Sequence, residues 1–327
     1  MRRSRSLMSL LIALTLLISA CVFTGQDADE SSIDLNAQMP VDPSLIEGQL
    51  DNGLKYFIKV NKKPENRAEL RLVVNAGSIL EDDDQLGLAH LLEHLAFNGT
   101  EDFPKQDLVN YLEGIGMRFG PDLNAYTSFD ETVYMLQVPT DSLNQMATGF
   151  KILENWAHKV SLEGEEIDKE RGVVVEEWRL GQGAGQRIFD KQLPVLFQGS
   201  RYAERLPIGS MDVIQNASHE TVRRFYKDWY RPDLMAVVAV GDFDPADIEA
   251  RIKALFGAIP KATETRDRTV YDAPGHTETL YAIASDPEAT RSSVNILFKH
   301  PTQIDRTAGE YRDNIVERIY HEMLNSR

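Results

Sequence analysis

Two short stretches, Gly53 to Val60 and Ala68 to Val74, alternate apolar with polar residues and are rich in β-formers, which is the period of a half-buried strand. Asn61 to Asn66 supplies the turn between them. The period then changes. Leu88, Leu91, Leu92 and Leu95 recur at helical spacing within Leu86 to Phe97, and Pro104, favourable in a first turn, opens a second helix that runs to Ile115. Alternation returns in Asn124 to Val138, where Tyr126, Phe129, Val133, Tyr134, Leu136 and Val138 predict a strand pair around a turn at Ser128 to Glu131. Thr140 is a candidate cap for a long helix ending near Val160, and a third helical stretch covers Glu165 to Leu180.

Further on, Leu234 to Val240 is a continuous apolar run that reads as a buried strand. Asp244 followed by Pro245 is a cap-plus-first-turn signature for a helix over Ala246 to Phe256. Together these elements predict an α+β domain over residues 46–262, a largely antiparallel sheet with helices packed on one face. Residues 263–275 are polar and breaker-rich and are the expected linker. After them Ser292 to Phe298 reads as a strand and Thr307 to Leu324 as a helix, a faint echo of residues 68–97. Residues 276–327 are therefore expected to start a second, similar domain. The helical pattern carries no glycine or proline stop before Arg327, so a piece of a longer protein is expected.

Composition narrows the function classes. With 327 residues and 42% hydrophobic content, the chain can bury a sizeable core in about two domains. Lys and Arg number 35 against 51 Asp and Glu, a formal charge of -16, and that sign disfavours a broad polyanion-binding surface, so nucleic acid is not expected as a partner. Cys21 is the only cysteine, which leaves any metal to histidines and carboxylates. Arg2, Arg3 and Arg5 precede a mostly apolar run, Leu7 to Ala20, in the layout of a secretory signal and too short for a membrane span. Leu17-Ile18-Ser19-Ala20-Cys21 resembles the lipobox of bacterial lipoproteins, in which cleavage precedes the cysteine and lipid is added to it. The expectation is a signal peptide over residues 1–20, a polar tether over 21–45, and an exported protein held at a bacterial membrane through a lipid on Cys21, facing the periplasm.

The candidate chemistry lies in His90-Leu91-Leu92-Glu93-His94, because positions i, i+3 and i+4 share one helix face. Two imidazoles four apart can bind one divalent ion, and Glu93 between them can take a proton from a water that the ion activates. An ordinary core helix with two histidines would instead bury polar groups at a cost. Catalytic zinc usually takes three protein ligands, and Glu170 and Glu177, seven apart on one helix face, are the candidates. One of them can be the ligand and the other can hydrogen-bond to the site; spacing does not say which. His158, His219, His276, His300 and His321 lack a partner at ligand spacing, and Gly181 to Gly185 reads as a flexible helix terminus or hinge rather than a phosphate loop.

The inverted motif His-x-x-Glu-His, followed about eighty residues later by Glu-Arg-x-x-Val-x-x-Glu, resembles the pitrilysin/insulinase metallopeptidases. Phe97-Asn98-Gly99-Thr100, Asn124-Ala125-Tyr126-Thr127, Leu206-Pro207-Ile208-Gly209 and Trp229-Tyr230-Arg231-Pro232 extend the likeness from about residue 45 to the end. The resemblance implies one zinc ion held by His90, His94 and Glu177, Glu93 as general base, and Glu170 in support. It further implies that Asn124 and Ala125 lie on a strand edge that pairs with extended substrate, and that Phe97 lines a side-chain pocket. The implied activity is endopeptidase cleavage of peptides or unfolded segments, with C-terminal domains or a partner subunit closing a chamber. A non-catalytic scaffold or peptide-binding subunit of the same fold is the alternative, and a hydrolase of another small amide is a second one.

Overall fold

The computed structural model describes residues 33–302 and 304–326; the basic start, the apolar run and Cys21 that read as a lipoprotein signal lie outside the described residues. Asp42–Lys299 form one compact body, and the described residues before Asp42 form a second with those from His300 onward. Among the described residues no helix is long and apolar enough to cross a membrane.

The first body is built on a six-stranded sheet of β1 (Leu45–Gln49), β2 (Lys55–Val60), β3 (Arg67–Val74), β4 (Leu123–Thr127), β5 (Thr132–Pro139) and β6 (Met235–Gly241), in the order β1-β2-β6-β3-β5-β4. β2 and β6 run parallel, and every other neighbouring pair in the sheet is antiparallel. Alternation along β3 buries Ala68, Leu70, Leu72 and Val74 on one face and leaves Glu69 and Arg71 on the other. The helices are α1 (Leu88–Leu95), α2 (Asp107–Gly114), α3 (Leu143–His158), α4 (Gly164–Gly181), α5 (Ala184–Leu196), α6 (Met211–Asn216), α7 (His219–Trp229) and α8 (Pro245–Phe256). Leu91 and Leu92 of α1, Phe150 and Trp156 of α3, and Ile252 and Phe256 of α8 join the inner sheet face in one core. Each such side chain contributes about 1.5–3 kcal/mol on burial. The indole of Trp156 also donates to the Ala96 carbonyl at 3.0 Å, which ties α3 to the end of α1. This is the α+β architecture expected, with α1 against the sheet.

Three local expectations change. β2 and β3 are not a hairpin, because β6 lies between them and pairs with both. The apolar run in β6 is satisfied best at the sheet centre, and Asn61 to Asn66 is long enough to pass one strand, about 5 Å wide. The cap of α3 is Ser142, whose hydroxyl accepts from the Gln145 N–H at 3.4 Å, whereas the Thr140 N–H bonds to the Asn66 carbonyl. Ser292 to Phe298 forms no strand; Val294, Ile296, Leu297 and Phe298 are exposed, and no described strand lies alongside to complete a ladder. β1 and helices α5, α6 and α7 were not read from the pattern. In α7 the buried positions Val222, Phe225 and Trp229 are sparse among charged residues.

Asp244 does cap α8: its carboxylate accepts from the Ala246 N–H at 2.9 Å, with Pro245 in the first turn. Asp244→Ala is expected to lower stability by about 1 kcal/mol, read as a lower urea midpoint at unchanged slope.

In the second body Thr307 caps α9 (Ala308–Asn325) through a reciprocal pair with Glu310, Glu310 N–H to Thr307 Oγ1 at 3.2 Å and Thr307 N–H to Glu310 Oε2 at 2.8 Å. Leu35 and Ala37 accept from the N–H groups of Gly309 and Ala308, at 2.8 and 2.9 Å.

Candidate metal centre

α1 is preceded at its cap position by Gly87, whose φ of +95° is a left-handed conformation that glycine adopts without strain. The place is crowded as well. Gly209 (φ +67°) lies against Gly87 so closely that a Cβ on Gly209 would meet Gly87 Cα at 2.2 Å and Gly87 N at 2.3 Å. Leu206-Pro207-Ile208-Gly209 is thus a turn, closed by Gly209 N–H to Leu206 O at 2.8 Å, that abuts the start of α1.

From that start, His90 and His94 project one turn apart, their rings edge to face with centroids 4.7 Å apart. α4 brings Glu177 to them. His90 Nε2 and His94 Nε2 are 3.2 Å apart, and Glu177 Oε2 lies 3.7 Å from the first and 3.4 Å from the second. A tetrahedral ion with bonds of about 2.1 Å spaces its donors about 3.4 Å apart, so the triangle fits a zinc-like ion. Among the described residues these three form the group of His and acidic side chains at metal-holding distance.

Glu170, two turns earlier on α4, is placed differently. Its Oε1 is 2.8 Å from His94 Nδ1, on the far side of the ring from the triangle, and its Oε2 accepts from the Asn98 amide. A carboxylate at Nδ1 holds the proton there and leaves the Nε2 lone pair facing Glu177 and His90. Geometry therefore separates the two glutamates that spacing left equivalent.

Glu93 is buried beside the triangle, outside it, and its Oε2 accepts from the Thr127 hydroxyl at 2.6 Å. Burial pushes its carboxyl above the ordinary range, against the pull of the Thr127 hydrogen bond and His94. Burial and the neighbouring His94 push the His90 imidazole down to about 4, which keeps it neutral as a ligand must be. For His94 burial also disfavours charge, but the Glu170 carboxylate outweighs it and the net shift is upward. For Glu170 burial is in turn outweighed by its bonds to His94 and Asn98, and its carboxyl is held below the usual range.

The group opens into a cleft of about 770 Å³ whose walls include Phe97, Phe119, Asn124, Ala125, Pro207 and Ile208. β4 forms one wall. It pairs with β5 on one side; on the other, Leu123 bridges to Phe119 and the Ala125 N–H bonds to the Asn124 side chain at 3.0 Å, but no described strand lies alongside the exposed Asn124 and the half-buried Ala125. Phe97 is mostly buried between Phe119 and Trp156, with ring centroids at 5.5 and 5.3 Å. Behind it Tyr134 stacks on Trp156 and shares a 2.8 Å hydrogen bond with Tyr230, which gives the Trp229-Tyr230 match its structural place. All the site residues singled out in the sequence line or approach this one cleft. Asn98 and Thr127 lay inside the matching motifs without an assigned part, and only their contacts reveal one.

Among the described residues, one six-stranded sheet carries an inverted-motif helix whose His90 and His94 meet Glu177 with Glu170 behind, an arrangement of the metallopeptidase class. The comparisons agree: the profile described as Insulinase (Peptidase family M16) matches residues 56–194, and that described as Peptidase M16 inactive domain matches residues 216–318. The chain belongs to the insulinase family of peptidases. It is 41% identical over 281 residues to the "Zinc protease PQQL-like" of Arabidopsis thaliana, covering 86% of this chain and 29% of that protein. It is 37% identical over 293 residues to the "Probable zinc protease PqqL" of Haemophilus influenzae, covering 89% of this chain and 32% of that one. Among solved structures, the first half of the periplasmic protease PqqL from Escherichia coli superposes with a TM-score of 0.68 at 39% identity, over 71% of this chain and 50% of that one. The chain thus spans about a third or less of the PqqL-type curated relatives it matches.

Proposed function

We propose that the protein is a zinc-dependent endopeptidase acting on peptides or unfolded protein segments. The observation that carries the reading is the juxtaposition, in one cleft, of the His90–His94–Glu177 triangle, the buried Glu93 and the edge of β4 that no described strand covers beyond Leu123. His90, His94 and Glu177 would hold one zinc ion, which when bound supplies Lewis acidity to the scissile carbonyl and lowers the pKa of water. Glu93 takes the proton from the attacking water and passes it to the leaving amine nitrogen. The Thr127 hydroxyl orients the carboxylate of Glu93 for that transfer. Glu170 fixes the tautomer of His94 from behind. An extended substrate adds to β4 as a further strand, with Asn124 and Ala125 along its backbone and one side chain directed toward Phe97 and Phe119.

The relatives named zinc proteases support this reading, and the E. coli relative described as periplasmic supports export. The proposal includes cleavage of residues 1–20, a lipid on Cys21 facing the periplasm, and a peptidase domain over 46–262 joined through 263–275 to the start of a second domain over 276–327. C-terminal domains or a partner subunit would close the chamber.

The test is zinc content by elemental analysis of protein beginning at Val22, beside His94→Ala and Glu177→Gln prepared identically. Wild type is expected to carry close to one zinc per chain, and both variants far less, since each keeps two of three donors. A folded wild type without zinc after supplementation would sink the reading in favour of a scaffold or peptide-binding subunit.

A further inference from the structure

We propose that Glu81 is a positioning residue for the metal centre: its buried carboxylate fixes the first turn of α1, and with it the aim of His90 and His94. The inference rests on the zinc-peptidase reading and concerns what holds its ligand helix in place. The first N–H groups of a helix have no partner within it, and Gly87, at the cap position of α1, has no side chain to offer one. Glu81 reaches across from six and eight residues upstream. Its Oε2 accepts from the Gly87 N–H at 3.0 Å and its Oε1 from the Ala89 N–H at 2.8 Å, so both oxygens serve the residues just before His90.

Glu81 is fully buried, a costly place for a carboxylate. Burial pushes its carboxyl upward, while the two N–H groups and the guanidinium groups of Arg205 and Arg201 pull the other way; with an N–H directed at each oxygen, the ionised form is the one this geometry accommodates. The anchor is itself fastened to a separate segment. The Glu81 carbonyl accepts from Arg201 Nη2 at 2.5 Å and Arg205 Nε at 3.2 Å, and the neighbouring Ser78 hydroxyl donates to the Arg205 carbonyl at 2.6 Å. α1 is eight residues long, so its first turn has no long helix to hold it straight, and a tilt there carries directly to the ligand rings. Glutamine fills the same space but offers one acceptor oxygen, and its NH2 would face an N–H.

The test compares wild type, Glu81→Gln and Glu154→Gln in the full chain, by zinc affinity from chelator competition and by amide hydrogen exchange. Glu154 is also buried, but on α3, bonded to Lys159 and Asn155 and not to α1. Glu81→Gln is expected to bind zinc about ten-fold or more weakly, as when a ligand's supporting partner is lost. Without zinc, its amides from Leu91 to Leu95 should exchange faster than in wild type while those of β3 and β6 do not. Glu154→Gln should lower thermal stability and leave zinc affinity and α1 exchange alone. A folded Glu81→Gln with wild-type zinc affinity and wild-type α1 exchange would overturn the proposal. If Glu81→Gln does not fold, Glu81→Asp, which keeps both oxygens but is one methylene short, is measured and judged by the same criteria. If the wild type binds no zinc, the peptidase reading falls and the exchange measurement alone decides for or against Glu81.

Discussion

Glu93→Gln is expected to keep its zinc and to cleave peptide roughly 10²–10⁴-fold more slowly, the range that a positioned general base contributes. The substitution is nearly isosteric, and the amide oxygen can still accept from Thr127, so the cleft should keep its shape. Zinc stays because Glu93 lies outside the triangle of His90, His94 and Glu177. What is lost is a group able to receive a proton. The measurement is cleavage of an unstructured peptide, by a form of the protein that turns it over, with zinc content determined on the same samples. Full activity in the variant would mean that the general base has been assigned to the wrong residue.

Gly209→Ala should do greater damage to the fold than its size suggests. The new methyl would lie 2.2–2.5 Å from Gly87 Cα, Gly87 N and Leu86 C, all backbone atoms that cannot rotate away. Gly209 also has a φ of +67°, which an L side chain resists. Overpacking and conformational strain together predict a loss of about 3 kcal/mol or more, with α1 displaced and zinc binding weakened. Gly172→Ala is the contrast, because that helical glycine of α4 has nothing within 4 Å of an added Cβ. It should gain up to about 1 kcal/mol. Urea midpoints and zinc content of the two variants test the pair; equal stabilities would show that the Gly87–Gly209 approach does not constrain the fold.

These effects separate what the linear pattern carried from what it could not. β3, the β4–β5 hairpin, α1 and α8 were legible because each is a local periodicity with its own start or stop signal, such as Asp244 before Pro245. The order of the sheet was not. β6 stands more than 160 residues after β3 in the chain, and nothing in either strand names the other as neighbour. The histidines and Glu93 were readable because four-residue spacing fixes a shared helix face. Spacing left Glu170 and Glu177 equivalent and only the family resemblance chose Glu177, because what sets them apart is the angle at which α4 meets α1, a tertiary quantity. Glu81 carried no signal at all, since an acidic residue among Glu81, Asp82, Asp83 and Asp84 looks like a solvated run. Ser292 to Phe298 shows the converse, a strand pattern that becomes a strand only when another strand lies beside it.

If substrate adds to the open edge of β4 as proposed, the energetics of the substrate become part of the selectivity. A segment already paired in its own native sheet or helix has no N–H and C=O groups to offer that edge until it opens. The opening free energy is then subtracted from whatever the cleft can gain. Every 1.4 kcal/mol of local stability lowers the population of the open form about ten-fold. Two proteins with the same amino-acid sequence around a cleavage point would therefore be cut at rates set by how often each exposes it. Such an enzyme would report on the breathing motions of its targets, with the side-chain preference of the Phe97–Phe119 wall acting only on segments that have opened.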